Sequence, residues 1–364
     1  MAERLRFMRT SADASGDGTT NTDSSGDNTH AYDSLSAAEA GEQADLVAAG
    51  DTLRIVCSVG SGSAADTTRV TFASANWTTA AANYVTMESA SGEEATAEWN
   101  TANSRMSVSE AFNSILDLQI FSRIRNFQLE NTANADQTRG INLDAATPAT
   151  ALDWEIESCH IRHTGTVTTT VASFGIQPFG DFALSIKIWN TFISGFYRGI
   201  RSRFNSTVGT TQEIYNLTCV EQGQYCINLD GWNNSNNVCK MRNLNLEAAI
   251  GAVADYLSPL SSARVETDIL TADTSSPTSD GSKTFTFVSG TDFTNASDSD
   301  AVDAGTDLSS DPDLAFSADL NGITITGTWD VGAAQFVSAG GGELLQIPHH
   351  LAGGFNPLQG GFAR

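Results

Sequence analysis

The sequence predicts an all-β chain wound as a parallel β-helix, a solenoid whose first turn is closed by a short helix. Three observations predict it. Short β-rich runs follow one another without intervening helices, and a polar residue recurs ahead of an apolar alternation at a spacing near one coil. The composition also favours strands and tight turns: only 17% of the 364 residues are charged, and 31 are glycine.

Residues 1–30 read as an N-terminal arm, because the stretch Thr10 to His30 is small and polar and could not bury enough surface to fold alone. Ser36-Ala-Ala-Glu39 is a capping-box pattern that opens an Ala-rich helix over about 36–49. Its expected task is to cover strand edges that would otherwise pair with other chains. The β-helix itself is assigned to 31–265. Its first runs are Leu53–Cys57, Arg69–Phe72, Tyr84–Met87 and Phe121–Leu129.

The repeat is clearest at Asn126-Phe-Gln-Leu129, Ser158-Cys-His-Ile161, Asn190-Thr-Phe-Ile193, Asn216-Leu-Thr-Cys219 and Asn243-Leu-Asn-Leu246. The steps of 32, 32, 26 and 27 residues suit coils with loops of varying length. Stacked at about 4.8 Å, Asn126, Asn190, Asn216 and Asn243 would form an inward ladder of side-chain amides bonded along the axis. Residues 266–337 read as a closing β segment. Residues 338–364 are a Gly-rich apolar tail in which Leu344, Leu345, Ile347, Leu351, Phe355, Leu358 and Phe362 call for a surface to dock on.

Acidic residues outnumber Lys and Arg by 43 to 19, a net charge of -24, which repels phosphate backbones and argues against nucleic acid as a partner. The imbalance is steepest from residue 265 onward, with 14 acidic side chains against Lys283 and Arg364. The opening Met1 to Arg9 lacks the apolar run of a signal peptide, and no stretch of about 18 apolar residues offers a membrane span. Five cysteines without metal-type spacing, Cys57, Cys159, Cys219, Cys226 and Cys239, read as buried thiols of a protein made in a reducing cytoplasm.

Two segments resemble a known family. Gly16-Asp-Gly-Thr-Thr-Asn21 with Ala31-Tyr-Asp-Ser-Leu-Ser36 is similar to the opening of right-handed β-helix proteins of the pectate-lyase-like fold. Asp300-Ala-Val-Asp-Ala-Gly-Thr-Asp-Leu308, Asp319-Leu-Asn-Gly322 and Trp329-Asp-Val-Gly-Ala333 resemble the closing segment of that superfamily. Here the usual proline is missing, and Gln335 stands where an acidic residue is common. The resemblance spans roughly residues 16–336. It implies the right-handed parallel β-helix architecture and a setting among phage virion and bacterial surface proteins, but no activity.

A polysaccharide lyase or hydrolase would need paired carboxylates, or acidic calcium ligands with a base. Asp153, Glu155, Glu157, Asp181, Arg198, Arg201 and Arg203 are the candidates, and Glu155 and Glu157 share a strand face that reads as a solvated alternation. Arg198, Arg201 and Arg203 form the one concentrated basic spot, read as an interface with an acidic neighbouring subunit. His160 and His163 point to opposite strand faces, and the adjacent His349 and His350 have no ligand spacing, so neither pair reads as a metal site. Asp298, Asp300 and Asp303 leave room for a structural calcium; no other cofactor is expected.

The expectation is therefore a non-enzymatic phage virion protein: a capsid decoration, cement or head-fibre protein held to the particle by its terminal arms. It would be a homotrimer facing capsid or other virion proteins, away from nucleic acid and membrane. The alternative is a tailspike-like adhesin for host surface glycans, or a polysaccharide-degrading enzyme built on the same shaft.

Overall fold

The computed structural model describes residues 2–135, 137–145, 152–166, 173–180, 184–204, 209–229, 236–248, 254–257, 263–278 and 282–337. Among them the chain is mostly β. It opens with β1 (Ala2–Arg9), α1 (Leu35–Glu42), α2 (Leu46–Ala49), β2 (Asp51–Ser58) and β3 (Val70–Phe72). Three triplets follow: β4 (Val85–Ser89), β5 (Arg105–Val108) and β6 (Ser114–Leu118); β7 (Ser122–Arg125), β8 (Gln128–Asn131) and β9 (Arg139–Ala145); β10 (Leu152–Glu157), β11 (His160–His163) and β12 (Phe174–Gly180). Later the first two strands of each triplet fuse. The order is β13 (Leu184–Ser194), β14 (Arg198–Arg201), β15 (Arg203–Phe204), β16 (Thr211–Gln222), β17 (Tyr225–Asn228), β18 (Val238–Ala248), β19 (Tyr256–Leu257) and β20 (Ala263–Thr271).

Every ladder is parallel, and the strands form one sheet of twelve and one of eight. The larger sheet turns a corner. The first half of β13 pairs with β10 and its second half with β11, so the sheet has a first and a second face, and the eight-stranded sheet makes a third. Ser122, Trp154, Ile186, Gln212, Cys239 and Arg264 are successive partners, which gives coils of 32, 32, 26, 27 and 25 residues. The winding is compatible with a β-helix.

Each face sends a column of apolar side chains inward. Ile55, Met87, Ile124, Ile156, Ile188, Ile214 and Met241 stack on the first face, and Leu116, Ile141, Ile176, Ile200 and Ile227 on the third. All are fully buried. Each such side chain contributes about 1.5–3 kcal/mol, and β-branched residues suit the pleat. The second and third faces meet closely along Gly140, Gly175 and Gly199. A Cβ at Gly175 would lie 2.5 Å from Ile193 Cγ2 and 2.7 Å from the Gly199 carbonyl oxygen.

The corner between the first and second faces has one residue per coil in the left-handed region: Asn126, Ser158, Asn190, Asn216, Asn243 and Asp268, with φ between 49° and 57°. Asn and Asp tolerate that conformation best among residues with a side chain. Asn126, Asn190, Asn216 and Asn243, the residues of the expected ladder, all stand in this column. The side chains lie at the corner, and the direct amide bond found along the column is Asn216 Nδ2 to Asn190 Oδ1, 2.8 Å. Asn190 Nδ2 instead donates to the Ala318 carbonyl (2.7 Å), and Asn243 exchanges two bonds with the Thr306 backbone (2.8 and 2.9 Å).

Three elements differ from the sequence reading. Residues 2–9 are no arm; β1 is the first rung, in register with β2 over eight residues, and its Met8 is buried opposite Cys57. The helix is two helices, capped by Ser34 and Asp45 through bonds to Ala37 N and Ala48 N. Glu39, expected in the capping box, accepts from Trp77 Nε1 at 2.9 Å instead. The closing segment adds β20 and then leaves the stack. Residues 282–337 contain isolated bridges only and fold back along the corner, where polar groups of the left-handed residues supply partners. The tail beyond residue 337 lies outside the described residues.

Two substitutions test this frame. Asn216→Val should lower stability by about 1–3 kcal/mol, since a β-branched residue is strained at positive φ, and Asn216→Gly should cost less. Gly175→Ala should cost about 1–3 kcal/mol through overpacking against backbone. Urea midpoints at constant slope measure both; equal midpoints for Asn216→Val and wild type would contradict the corner's role.

Candidate functional site

The outer surface of the first face follows a different rule from the core. The column Arg123, Glu155, Lys187, Glu213, Lys240 alternates in sign coil by coil. Like charges stacked at strand spacing repel, whereas opposite charges pair. Arg123 Nε lies 3.0 Å from Glu155, Arg125 Nε 3.1 Å from Glu157, and Lys187 and Lys240 flank Glu213 at 3.9 and 3.5 Å. Glu155 and Glu157 are thus partners of arginines. Asp153 precedes them on the same strand, and Asp181 lies outside the described residues. This alternation was readable at the coil spacing, but only with the register known.

At the corner the charged column runs into a groove. Glu88, Arg125 and Glu157, consecutive partners across three coils, floor one end with Asn126, Ser158 and Asn190, and Phe316 to Asp319 of the closing segment form its wall. This part encloses about 290 Å³. It continues past Asn126, Ser158 and Asp319 into a second part of about 390 Å³, walled by the loop 90–104 and by Leu320 to Gly322. Glu88 is almost wholly buried and bonded to Arg54 Nε at 2.6 Å. The lining is polar and hydrogen-bonding, with Phe316 as its aromatic side.

The motif that carried the family resemblance builds the wall. Asp319 Oδ1 and Oδ2 accept from Ile323 N (2.8 Å) and Gln335 N (2.9 Å), while Asp330 accepts from Asp303 N (2.9 Å). Gln335 Oε1 takes the Asp330 N–H at 2.7 Å, so the amide oxygen meets a demand that a carboxylate could also meet. Burial pushes Asp319 up to about 7 against the pull of its backbone donors. Ionic contacts secure the segment farther along, where Arg242 and Lys240 pair with Asp311 (2.6 Å) and Asp313 (2.5 Å). Trp329, Leu308 and Leu314 bury themselves against Trp189 and Tyr215.

The loop 90–104 is held by a histidine that sequence reading set aside. His160 is buried on the second face between Trp99 and Phe192, with ring centroids at 5.1 and 4.6 Å. Its Nδ1–H donates to the Thr96 carbonyl at 2.9 Å. Burial, with Arg162 nearby, pushes His160 down to about 3. His163 faces elsewhere, bonded to the Ala133 carbonyl at 2.9 Å.

The basic spot lies on the third face. Arg198 follows Phe174 and precedes Tyr225 in one cross-strand column that also holds Arg139, and Arg201 reaches back over Phe174 at 5.1 Å. Arg203 lies in β15. The structure does not bring this spot to the corner groove. Asp298, Asp300 and Asp303 each bind a neighbouring threonine, and no group of three or more His, Cys, Asp or Glu able to hold a metal is found among the described residues. All five cysteines are buried and free, and no described helix is long and apolar enough to cross a membrane. His349, His350, Leu344, Leu345, Ile347, Leu351, Phe355, Leu358 and Phe362 lie outside the described residues. No protein-family model matches the chain, and no curated protein matches it.

The depressed His160 pKa makes a signed prediction. Folding favours the neutral ring, so its contribution is complete above about 6.5 and is lost as pH falls from there towards 3. Protection factors at Ala95 and Ala97, whose N–H groups bond Asn126 and Asn321, should fall over that window in wild type. In His160→Gln that fall should be absent; a pH profile of protection equal to wild type in that variant would remove His160 as the clamp.

Proposed function

We propose that the chain is a right-handed parallel β-helix serving as a structural protein of a phage virion, most simply a capsid decoration, cement or head-fibre protein. Handedness follows from the general rule for parallel crossovers. The observation that carries the reading is the outward charge column: Glu155, Glu157 and Glu213 are committed to Arg and Lys neighbours, which stiffens a shaft. A back-folded segment braces the same shaft along its corner. The closing motif and the acidic surface fit a protein displayed on a particle. With β1 built into the stack, attachment falls to residues 338–364, whose apolar side chains would seat on a capsid or other virion protein. The homo-oligomer, a trimer in its simplest form, and the virion location belong to this proposal, as does a chain that works without a cofactor.

The corner groove favours a second reading. Its acidic, basic and amide groups in one cleft suit the hydroxyls of a host surface glycan, so the shaft would be an adhesin or a polysaccharide-cleaving enzyme. One experiment addresses both. Purified particles carrying this chain should hold it in a fixed copy number per particle on the outer surface by electron microscopy, and the purified chain should leave capsular and cell-wall polysaccharides intact. Absence from washed particles sinks the first reading. Depolymerisation that disappears in Glu157→Gln establishes the second.

A further inference from the structure

The seam between the second and third faces is built from two columns that change character in one coil. Leu129, Ile161, Ile193, Cys219 and Leu246 are successive partners on the second face. Gly140, Gly175, Gly199 and Cys226 hold the matching place on the third, each one residue ahead of the buried Ile141, Ile176, Ile200 and Ile227. A glycine there faces a branched aliphatic of the next coil: a Cβ at Gly140 would lie 2.6 Å from Ile161 Cγ2, and one at Gly175 would lie 2.5 Å from Ile193 Cγ2. In these two columns the cysteines are Cys219 of β16 and Cys226 of β17, and both belong to the same coil.

The two thiols meet at that seam. Cys226 Sγ–H donates to the Cys219 carbonyl at 2.9 Å, and Cys219 Sγ–H to the Cys226 carbonyl at 3.6 Å, with both side chains fully buried. Burial, with the Cys219 thiol in hydrogen-bond contact, pushes the Cys226 thiol well up. Cys57 and Cys159 turn instead to the carbonyls of Ile55, Ile124 and Glu157. The chain joining Cys219 to Cys226 is a weak stretch of the ladder. Glu221 is exposed in the left-handed region at φ 58°, and the register with β18 shifts between Val220 and Gln222. A side chain held at positive φ is strained and a bulge leaves its residue unpaired, so this turn is a place for local opening and for the entry of a small solute.

We propose that Cys219 and Cys226 are a disulfide site, closed by a peroxide outside a reducing compartment, and that the bond staples the second face to the third in this coil. One sulfur attacks a peroxide oxygen and becomes a sulfenic acid, with release of water; the other sulfur then displaces the hydroxyl, and a second water leaves. Each cysteine gives up one hydrogen, both sulfurs are oxidised, and the O–O bond is reduced. The ring so closed is short, which keeps the gain in stability modest. The site rests on the register of the coils and is independent of the virion assignment, which particle composition tests separately.

Thiol counting on the full chain supplies the test. Native protein is treated with hydrogen peroxide, freed of the excess with catalase, and unfolded in the presence of an alkylating reagent for mass spectrometry. Untreated wild type should take up five labels and treated wild type three, with a proteolytic fragment in which Cys219 is joined to Cys226. Cys219→Val and Cys226→Gly, which restore the aliphatic and the glycine of the two columns, should each take up four labels before and after treatment. The urea midpoint of treated wild type should rise and return with dithiothreitol. Five labels in treated wild type overturn the proposal whether or not either variant folds. So does a loss of labels without the joined fragment, a disulfide between any other two cysteines, or a midpoint that falls on oxidation.

Discussion

One left-handed residue in each coil is the constraint on which the rest depends. From Asn126 to Asp268 the same backbone conformation recurs at the same corner, and it bends a single parallel sheet into two faces. The bend also turns polar groups away from the ladder. Asn126 O accepts from Ala95, Asn243 O accepts from Gly332, and the Asn190 and Asn243 side chains hold Ala318 and Thr306. The feature that shapes the shaft therefore also provides the seam along which the loop 90–104 and the closing segment dock. The groove exists because those two additions flank the seam without filling it.

Inside and outside obey opposite stacking rules, the inner one hydrophobic and the outer one electrostatic. Apolar side chains gain by lying on their own kind, so isoleucine follows isoleucine down the interior. Charges of one sign at the same spacing repel, so Arg123, Glu155, Lys187, Glu213 and Lys240 alternate. The stack ends where the rule fails. On β20 the inward column passes from Met241 to Glu266, and a core that stops at a carboxylate cannot be extended by another rung.

Much of the coil was legible because the repeat is local in kind though distant in sequence. The Asn and Ser spacing matched the coil lengths, since the left-handed corner admits few side chains. A second repeat was equally available and passed unread: Arg139-Gly-Ile, Phe174-Gly-Ile, Arg198-Gly-Ile and Tyr225-Cys-Ile mark the approach of the second and third faces. Misreadings fell where several partners were plausible. Ser34 and Ser36 both suit a helix cap, and packing of Glu39 against Trp77 decided between them. The polar N-terminal residues suggested an arm, yet Ala2 to Arg9 had a strand to pair with.

By itself the sequence determined that short strands would recur at the spacing of a coil and that the C-terminal quarter would be acidic. Those properties follow from residue type and spacing. Only the tertiary structure decided that residues 282–337 fold back on the corner, that Glu155 and Glu157 meet arginines, and that His160 is buried under Thr96. Each of these depends on which distant segment arrives at a given surface. That choice is made by the summed burial and hydrogen bonding of whole segments, which no single stretch of sequence encodes.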